Sequence, residues 1–123
     1  LNQTEIASAM LASDLFVLAS DRDPSPKALS EALYFGLPAV CSSAIGTAVD
    51  LVEPGRSGAI YPLGDVGALA AAIADVVRDP SRLRAFGARA HEIALANDFE
   101  AGIAQLVAKL DALFVEEQRG ARV

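Results

Sequence analysis

Two carboxylates lie on either side of a helix start early in the chain, in the segment from Asp23 to Glu31. They are separated by seven residues. This spacing places Asp23 in a loop and Glu31 about one turn into the helix that the pattern predicts over 26–35. A carboxylate at such a position can accept hydrogen bonds from vicinal hydroxyls, such as those of a ribose or a hexose.

The same helix start offers groups that bind anions. Its first amides, near Lys27, Ala28 and Leu29, have no partner within the helix, and the positive end of the helix dipole lies there. Free N–H groups in this arrangement form a binding site for phosphate. A second loop, 42–47, is expected to open beside the first and to form another wall of the same crevice. The pattern therefore suggests a phosphate- and sugar-binding site.

Each of these residues also has a purely structural interpretation. Glu31 could be an exposed helix residue, and Asp23 could be a turn residue beside Pro24. Lys27 is more simply a solvated side chain than a phosphate ligand. In the second half of the chain, His91 is interpreted as a surface histidine, and a solvated helix face is expected at the arginines 78, 82, 84 and 89.

The elements that must position these residues alternate between strand and helix. Short apolar runs predict strands over 14–20, 38–42 and 59–62. Helices are expected over 3–12 and 26–35, after Thr47 as a cap, from Asp65 onward, after a break at 79–81 and finally over about 99–117. Gly36 is expected to stop the helix that follows the first loop.

Apolar strands that alternate with helices indicate a parallel sheet covered on both faces. We therefore predict an α/β chain: a partial Rossmann-like domain with a three-stranded parallel sheet and flanking helices over 1–62, and a helical C-terminal part over 63–118. Typical sheets have more strands. We therefore expect part of the domain to be missing.

Composition excludes several classes of protein. The chain is 53% hydrophobic, but no apolar run approaches the roughly 18 to 20 residues of a membrane-spanning helix. A net charge of −6 argues against binding to nucleic acid, which depends on Lys and Arg. Cys41 is expected to be a buried, reduced thiol, and no spacing of His, Cys or carboxylates indicates a metal site. We expect a cytoplasmic protein.

The motifs of the chain, taken in order, resemble a known family. The run from Asp23 to Glu31, followed by Ala-Leu-Tyr-Phe-Gly-Leu-Pro-Ala-Val40, is similar to the carboxylate-x7-carboxylate motif of GT-B-fold retaining glycosyltransferases (glycosyl transferases group 1). The family motif usually reads Glu-Pro-Phe-Gly-x-x-x-x-Glu-Ala-x-x-x-Gly-x-Pro-Val. The stretches 46–52, 54–58 and 61–65 also follow the family's order, so the resemblance covers essentially the whole chain.

The resemblance implies a role for each residue of the motif. Glu31 would accept hydrogen bonds from the ribose hydroxyls of a nucleotide-sugar donor. Asp23, the candidate catalytic residue, would face the donor sugar or its leaving diphosphate. The amides of Ala28 and Leu29 would hold the distal phosphate.

The loop residues before the helix complete the implied donor site but depart from the family motif. Ser25 and Pro26 would shape the loop around the donor sugar, although Pro26 replaces a glycine and offers no N–H. Lys27 stands where an apolar residue is commoner, and would add a charge near the diphosphate. Asp23 is one methylene shorter than the usual glutamate.

The resemblance also implies the reaction and the partners. The full protein would transfer a sugar from a nucleotide-diphosphate sugar to an acceptor hydroxyl with retention, using no cofactor and no metal. The Arg and Lys that neutralise the diphosphate, and the acceptor domain, would lie in an N-terminal half that this chain lacks. The chain alone is therefore expected to be inactive, and the full protein could lie at the inner face of the membrane.

Two alternatives remain open at this stage. Another GT-B enzyme, such as a sugar-nucleotide epimerase or a glycogen-synthase-like enzyme, would carry the same motif. A non-catalytic α/β interaction module would use the same elements for assembly. Because part of the domain is expected to be missing, strand 14–18, central if the strand order follows the family's, is expected to present an unpaired edge, which predicts a homodimer or larger assembly through that edge or through swapped helices.

Overall fold

The computed structural model describes residues 3–24 and 26–97, together with residues 112 and 115. The strands are β1 (Phe16–Leu18), β2 (Ala39–Ser42) and β3 (Gly58–Tyr61). The helices are α1 (Gln3–Leu11), α2 (Lys27–Tyr34), α3 (Ala48–Leu51), α4 (Val66–Val77) and α5 (Pro80–Ala96). The order confirms the predicted α/β class. The helix predicted over about 99–117 lies outside the described residues, apart from residues 112 and 115, which are helical.

The three strands form one parallel sheet in the order β1-β2-β3. Val40 pairs with Val17 on one side and with Ala59 on the other, so β2 is the central strand. All four of its residues are buried, whereas Val17 in β1 is 40% exposed. The predicted three-stranded parallel sheet is confirmed, and β1 forms an edge of the sheet in the described part of the chain.

Successive side chains of β2 point to opposite faces of the sheet, and all of them are buried. Helices therefore cover both faces. Ala39 and Cys41 pack in a cluster with residues of α2, α3 and α5, including Leu29 and Leu33. Val40 packs in a second cluster that includes Val76 of α4. Complete burial of one such leucine contributes about 1.5 to 3 kcal/mol. The first of these clusters packs α2 against the sheet.

The end of α2 is fixed by a glycine and by close packing with α5. Gly36 has φ 76°, its amide donates to Leu33 O at 2.9 Å, and the Leu37 amide donates to Ala32 O at 3.0 Å. This pair of bonds is a Schellman motif, which requires the left-handed region at Gly36. The stop predicted at Gly36 is confirmed. Gly87 of α5 approaches the Gly36 carbonyl so closely that a β-carbon at Gly87 would overlap it.

Two of the predicted helix starts carry aspartate caps, and one predicted cap is wrong. Asp65 accepts from the Ala68 amide at 2.8 Å, and Asp79 accepts from the Ser81 amide at 2.8 Å. Thr47 precedes α3, but it makes no side-chain cap bond, and its buried hydroxyl has no hydrogen-bond partner. Its φ of −82° and ψ of −7° are already helical, whereas capping requires an extended residue.

Two predictions of solvated side chains are only partly right. His91 is partly buried, and its Nδ1 lies 2.7 Å from the Tyr34 carbonyl oxygen across the α2–α5 contact. Arg89 donates to Glu53, 36 residues earlier, from both Nε and Nη2. This ion pair joins α5 to the loop before β3. Within 3–24 and 26–97, no helix is long and apolar enough to cross a membrane.

Candidate functional site

The loops that follow β1 and β2 are joined at the carboxyl edge of the sheet. The Gly46 amide donates to the Asp23 carbonyl at 3.0 Å, and Asp23 and Ile45 form an isolated parallel bridge. The buried hydroxyl of Ser42 donates to the Ser20 carbonyl at 2.6 Å. The two loops are predicted from the sequence to lie side by side. The structure shows that they are hydrogen-bonded into one wall.

A close contact at Gly46 strengthens this join. A β-carbon placed on Gly46 would lie 2.5 Å from the Pro24 carbonyl oxygen and 3.0 Å from the Pro24 Cα. Those atoms belong to the main chain and cannot rotate away. Only glycine therefore fits at this position. The sequence does not predict this requirement, because no residue near Gly46 indicates a contact with a residue 22 positions earlier.

The loop after β3 is tied to the same wall. The Ser43 amide donates to the Tyr61 carbonyl at 2.8 Å, and the Leu63 amide donates to the Ser43 hydroxyl oxygen at 2.9 Å. Loops at the carboxyl ends of all three strands therefore form a continuous rim. In open parallel sheets this edge is where ligands bind.

The first loop leads into the N-terminus of α2, where the cap residue makes no side-chain cap bond. Its cap residue, Pro26, is extended with φ −72° and ψ 125°, and it is buried. Lys27 and Ala28, the first residues of the helix, are exposed, and the first turn holds no acidic side chain. The first amides of a helix have no partner within it and carry the positive end of the helix dipole. This end of α2 can therefore accept an anion.

Glu31 lies one turn further along α2 and interacts with Lys27. The Lys27 Nζ atom lies 3.5 Å from Glu31 Oε1, with side-chain exposures of 79% and 38%. Both residues occupy the side of the helix away from the buried Leu29. The Asp23 side chain is half-buried, and its main chain carries the bridge to the second loop. Ser25, the remaining predicted site residue, lies outside the described residues.

Cys41 is confirmed as a buried thiol. It has no exposed surface, and its burial raises the pKa of the thiol to about 12. Because the thiolate is the reactive form, this cysteine is inert at neutral pH. Among the described residues, no group of three or more His, Cys, Asp or Glu side chains is placed to hold a metal ion. The described charged side chains of the first loop and the first turns of α2 are three carboxylates, Arg22 and Lys27.

The parallel sheet and its joined loops define an α/β chain, and comparison with known proteins gives its family. The model of the family "Glycosyl transferases group 1" matches residues 1–93, and the chain belongs to this family. The structure of a sucrose-phosphate synthase from Thermosynechococcus elongatus is similar, with a TM-score of 0.78 and 26% identity over 94% of this chain and 29% of that one.

Two further relatives are similar to this chain. The structure of HepE from Anabaena in complex with UDP-glucose has a TM-score of 0.75 and 28% identity, and the match covers 88% of this chain and 30% of that one. An exopolysaccharide phosphotransferase of Streptomyces coelicolor is 34% identical over 74 residues, which are 60% of this chain and 8% of that protein. The chain thus spans less than a third of the length of each relative.

Proposed function

We propose that this chain forms the donor side of a glycosyltransferase that moves a sugar from a nucleotide-diphosphate sugar to an acceptor hydroxyl with retention. The amides of Ala28 and Leu29 bind the distal phosphate of the donor. Glu31 accepts hydrogen bonds from the ribose hydroxyls. Asp23 faces the donor sugar or its leaving diphosphate, and Ser25 and Pro26 shape the loop around that sugar.

One observation carries the proposal: the joined loops at the carboxyl edge lead directly into the N-terminus of α2, whose cap residue Pro26 makes no side-chain cap bond. A helix end of this kind binds the terminal oxygens of a phosphate through amides and dipole together. The main-chain join at Gly46 holds the loop still, so the helix end is ready before the donor arrives. Preorganised donors of hydrogen bonds also stabilise the negative charge that develops on a leaving diphosphate.

The family and its structures support a nucleotide sugar as the ligand. HepE, which is 28% identical to this chain, binds UDP-glucose in its structure. The carboxylate that accepts the ribose diol must stand on the same face as the free amides. Glu31 satisfies this requirement because it lies on the exposed side of α2, above the first turn.

Calorimetric titration of the full-length protein tests the role of Glu31. UDP, UDP-glucose, GDP and ADP are titrated into the wild type and into Glu31→Gln. Each hydrogen bond to a charged group contributes about 1.5 to 3 kcal/mol, so the variant is expected to bind the preferred nucleotide about ten- to a hundredfold more weakly. Unchanged affinity would reject the role assigned to this carboxylate.

Glu92→Gln is a matched control for this titration. Glu92 is also a helix-surface carboxylate in an ion pair, with 2.9 Å between its Oε2 and Arg89 Nη1. It lies next to His91, whose ring contacts the C-terminal end of α2 and not its start. We expect Glu92→Gln to bind the nucleotide as the wild type does.

The relationship to an exopolysaccharide phosphotransferase favours a second candidate, the transfer of a sugar phosphate. In that reaction the acceptor oxygen attacks the phosphorus next to the sugar, a phosphodiester forms, and a nucleoside monophosphate leaves. In glycosyl transfer the acceptor oxygen attacks the anomeric carbon, and a nucleoside diphosphate leaves. Chromatography of the released nucleotide separates the two candidates, and also distinguishes both from an epimerase.

The 123 residues alone are proposed to lack transferase activity. A leaving diphosphate carries several negative charges, and the proposed donor site contributes to it the amides of a single helix end. The reaction is proposed to need no metal, as the family resemblance implies. Addition of EDTA to the full-length protein is therefore expected to leave its activity unchanged.

A further inference from the structure

We infer that Lys27 is a positioning residue for Glu31, which keeps the carboxylate ready for the ribose hydroxyls and does not contact the diphosphate. The inference rests on the donor site proposed above and adds a residue that sets nucleoside affinity. The geometry behind it is the ion pair on the exposed side of α2, with 3.5 Å between Lys27 Nζ and Glu31 Oε1.

The ion pair leaves Glu31 able to bind a diol. It is made through Oε1, and an ionised carboxylate offers about four acceptor positions on its two oxygens. Two hydroxyls can therefore be accepted while the lysine stays in place. A glutamate side chain that is 38% exposed has several rotamers open to it, and the neighbouring ammonium group favours the one that keeps the carboxylate above the first turn.

Stability of the helix does not explain this pair. Lys27 precedes Glu31 by four residues, which is the weaker of the two orders for an ion pair along a helix. The lysine also stands in the first turn, where the positive end of the helix dipole disfavours a cation. A residue that breaks two local preferences is expected at functional sites.

The two roles open to Lys27 differ in the size of effect they predict. An exposed ion pair that acts through Glu31 is expected to change nucleotide affinity by about two- to fivefold. A direct bond from the ammonium group to the diphosphate would change it by about tenfold or more. The first role also requires Glu31 and the ribose hydroxyls, whereas the second requires neither.

The test measures the affinity of the full-length protein for UDP and for 2′,3′-dideoxy-UDP, which lacks both ribose hydroxyls. If GDP or ADP binds more tightly than UDP, the corresponding pair is used. The wild type is compared with Lys27→Met, Glu31→Gln, the double variant and Lys27→Arg. We expect Lys27→Met to weaken the binding of UDP about two- to fivefold and to leave the affinity for the dideoxy nucleotide unchanged. The substitution should add nothing in the Glu31→Gln background, and Lys27→Arg should restore binding.

Arg56→Met is the control for net charge. Arg56 is an exposed cation with 3.0 Å between its Nη1 and Glu53 Oε2, in the loop that precedes β3. Its removal changes the net charge of the chain as Lys27→Met does, and we expect both affinities to stay at the wild-type value. Circular dichroism of each variant verifies the fold.

Two results would overturn the inference while leaving the donor site intact. In one, Lys27→Met weakens the binding of UDP and of the dideoxy nucleotide equally, and it does so in the Glu31→Gln background as well. That result would assign the lysine to the diphosphate. In the other, Lys27→Met changes neither affinity. A wild-type protein that binds none of UDP, GDP and ADP would reject the proposed function itself, and this inference with it.

Discussion

Substitution of Gly46 by alanine tests the join between the two loops. The added β-carbon would lie 2.5, 3.0 and 3.1 Å from the O, Cα and C atoms of Pro24, where ordinary contacts begin at 3.4 Å. The loops must therefore separate by roughly an ångström, because main-chain atoms cannot rotate out of the way. Gly46 does not have a positive φ, so the effect is purely one of contact.

The cost of this separation has two parts. Overpacking typically costs about 1 to 3 kcal/mol. Separation also breaks the 3.0 Å bond from the Gly46 amide to the Asp23 carbonyl, which contributes about 1 kcal/mol. The free energy of unfolding is therefore expected to fall by about 2 to 4 kcal/mol, near the upper end for a single substitution. Donor affinity should fall as well, since the first loop leads into α2.

Urea unfolding followed by circular dichroism measures the first quantity, and calorimetric titration with UDP measures the second. Gly67→Ala is the matched control, because it adds the same methyl group within α4, at an ordinary 3.5 Å from Asp65 Oδ1. A glycine in a helix is less favourable than alanine, so this variant should be more stable by about 1 kcal/mol. If Gly46→Ala unfolds and binds UDP like the wild type, the loops are not in the contact described.

Three further predictions concern other parts of the chain. Burial raises the pKa of the Cys41 thiol to about 12, so Cys41 should resist a thiol reagent at pH 8 until urea is added. The free energy of unfolding should fall above about pH 8.5, because the thiol ionises there in the unfolded chain and not in the folded one. Rapid labelling of the native protein would contradict this. Arg89→Met should lower the melting temperature at low salt by removing the Glu53 ion pair, and the difference should shrink at 1 M salt; a difference independent of salt would show that the ion pair is not its cause. The edge at β1 should make the 123-residue chain sediment as a dimer or larger species, and a monodisperse monomer would refute that assembly.

The sequence is sufficient to predict features that depend on local chemistry. The three strands follow from apolar runs, the stop at Gly36 from a residue that tolerates a positive φ, and the start of α4 from Asp65. The donor site stays a prediction for the segment from Asp23 to Glu31, and it rests on residue types and a place before a helix start that are both visible in the sequence.

Contacts between distant segments could not be predicted in the same way. Glu53 and Arg89 are 36 residues apart, so the pattern of α5 indicates only a row of arginines. Gly46 looks like an ordinary loop glycine until Pro24 is placed against it. Thr47 was predicted as a cap from its residue type, but that property depends on backbone angles that the rest of the loop determines.

The join between the first two loops has a consequence for how this protein can evolve. At Asp23 and Pro24 the contacts with Gly46 are made by carbonyl and Cα atoms, which every amino acid supplies. The join itself therefore does not depend on the side chains of these two residues. Selection on the join therefore acts on Gly46, where only glycine fits, and not on the identity of those two side chains.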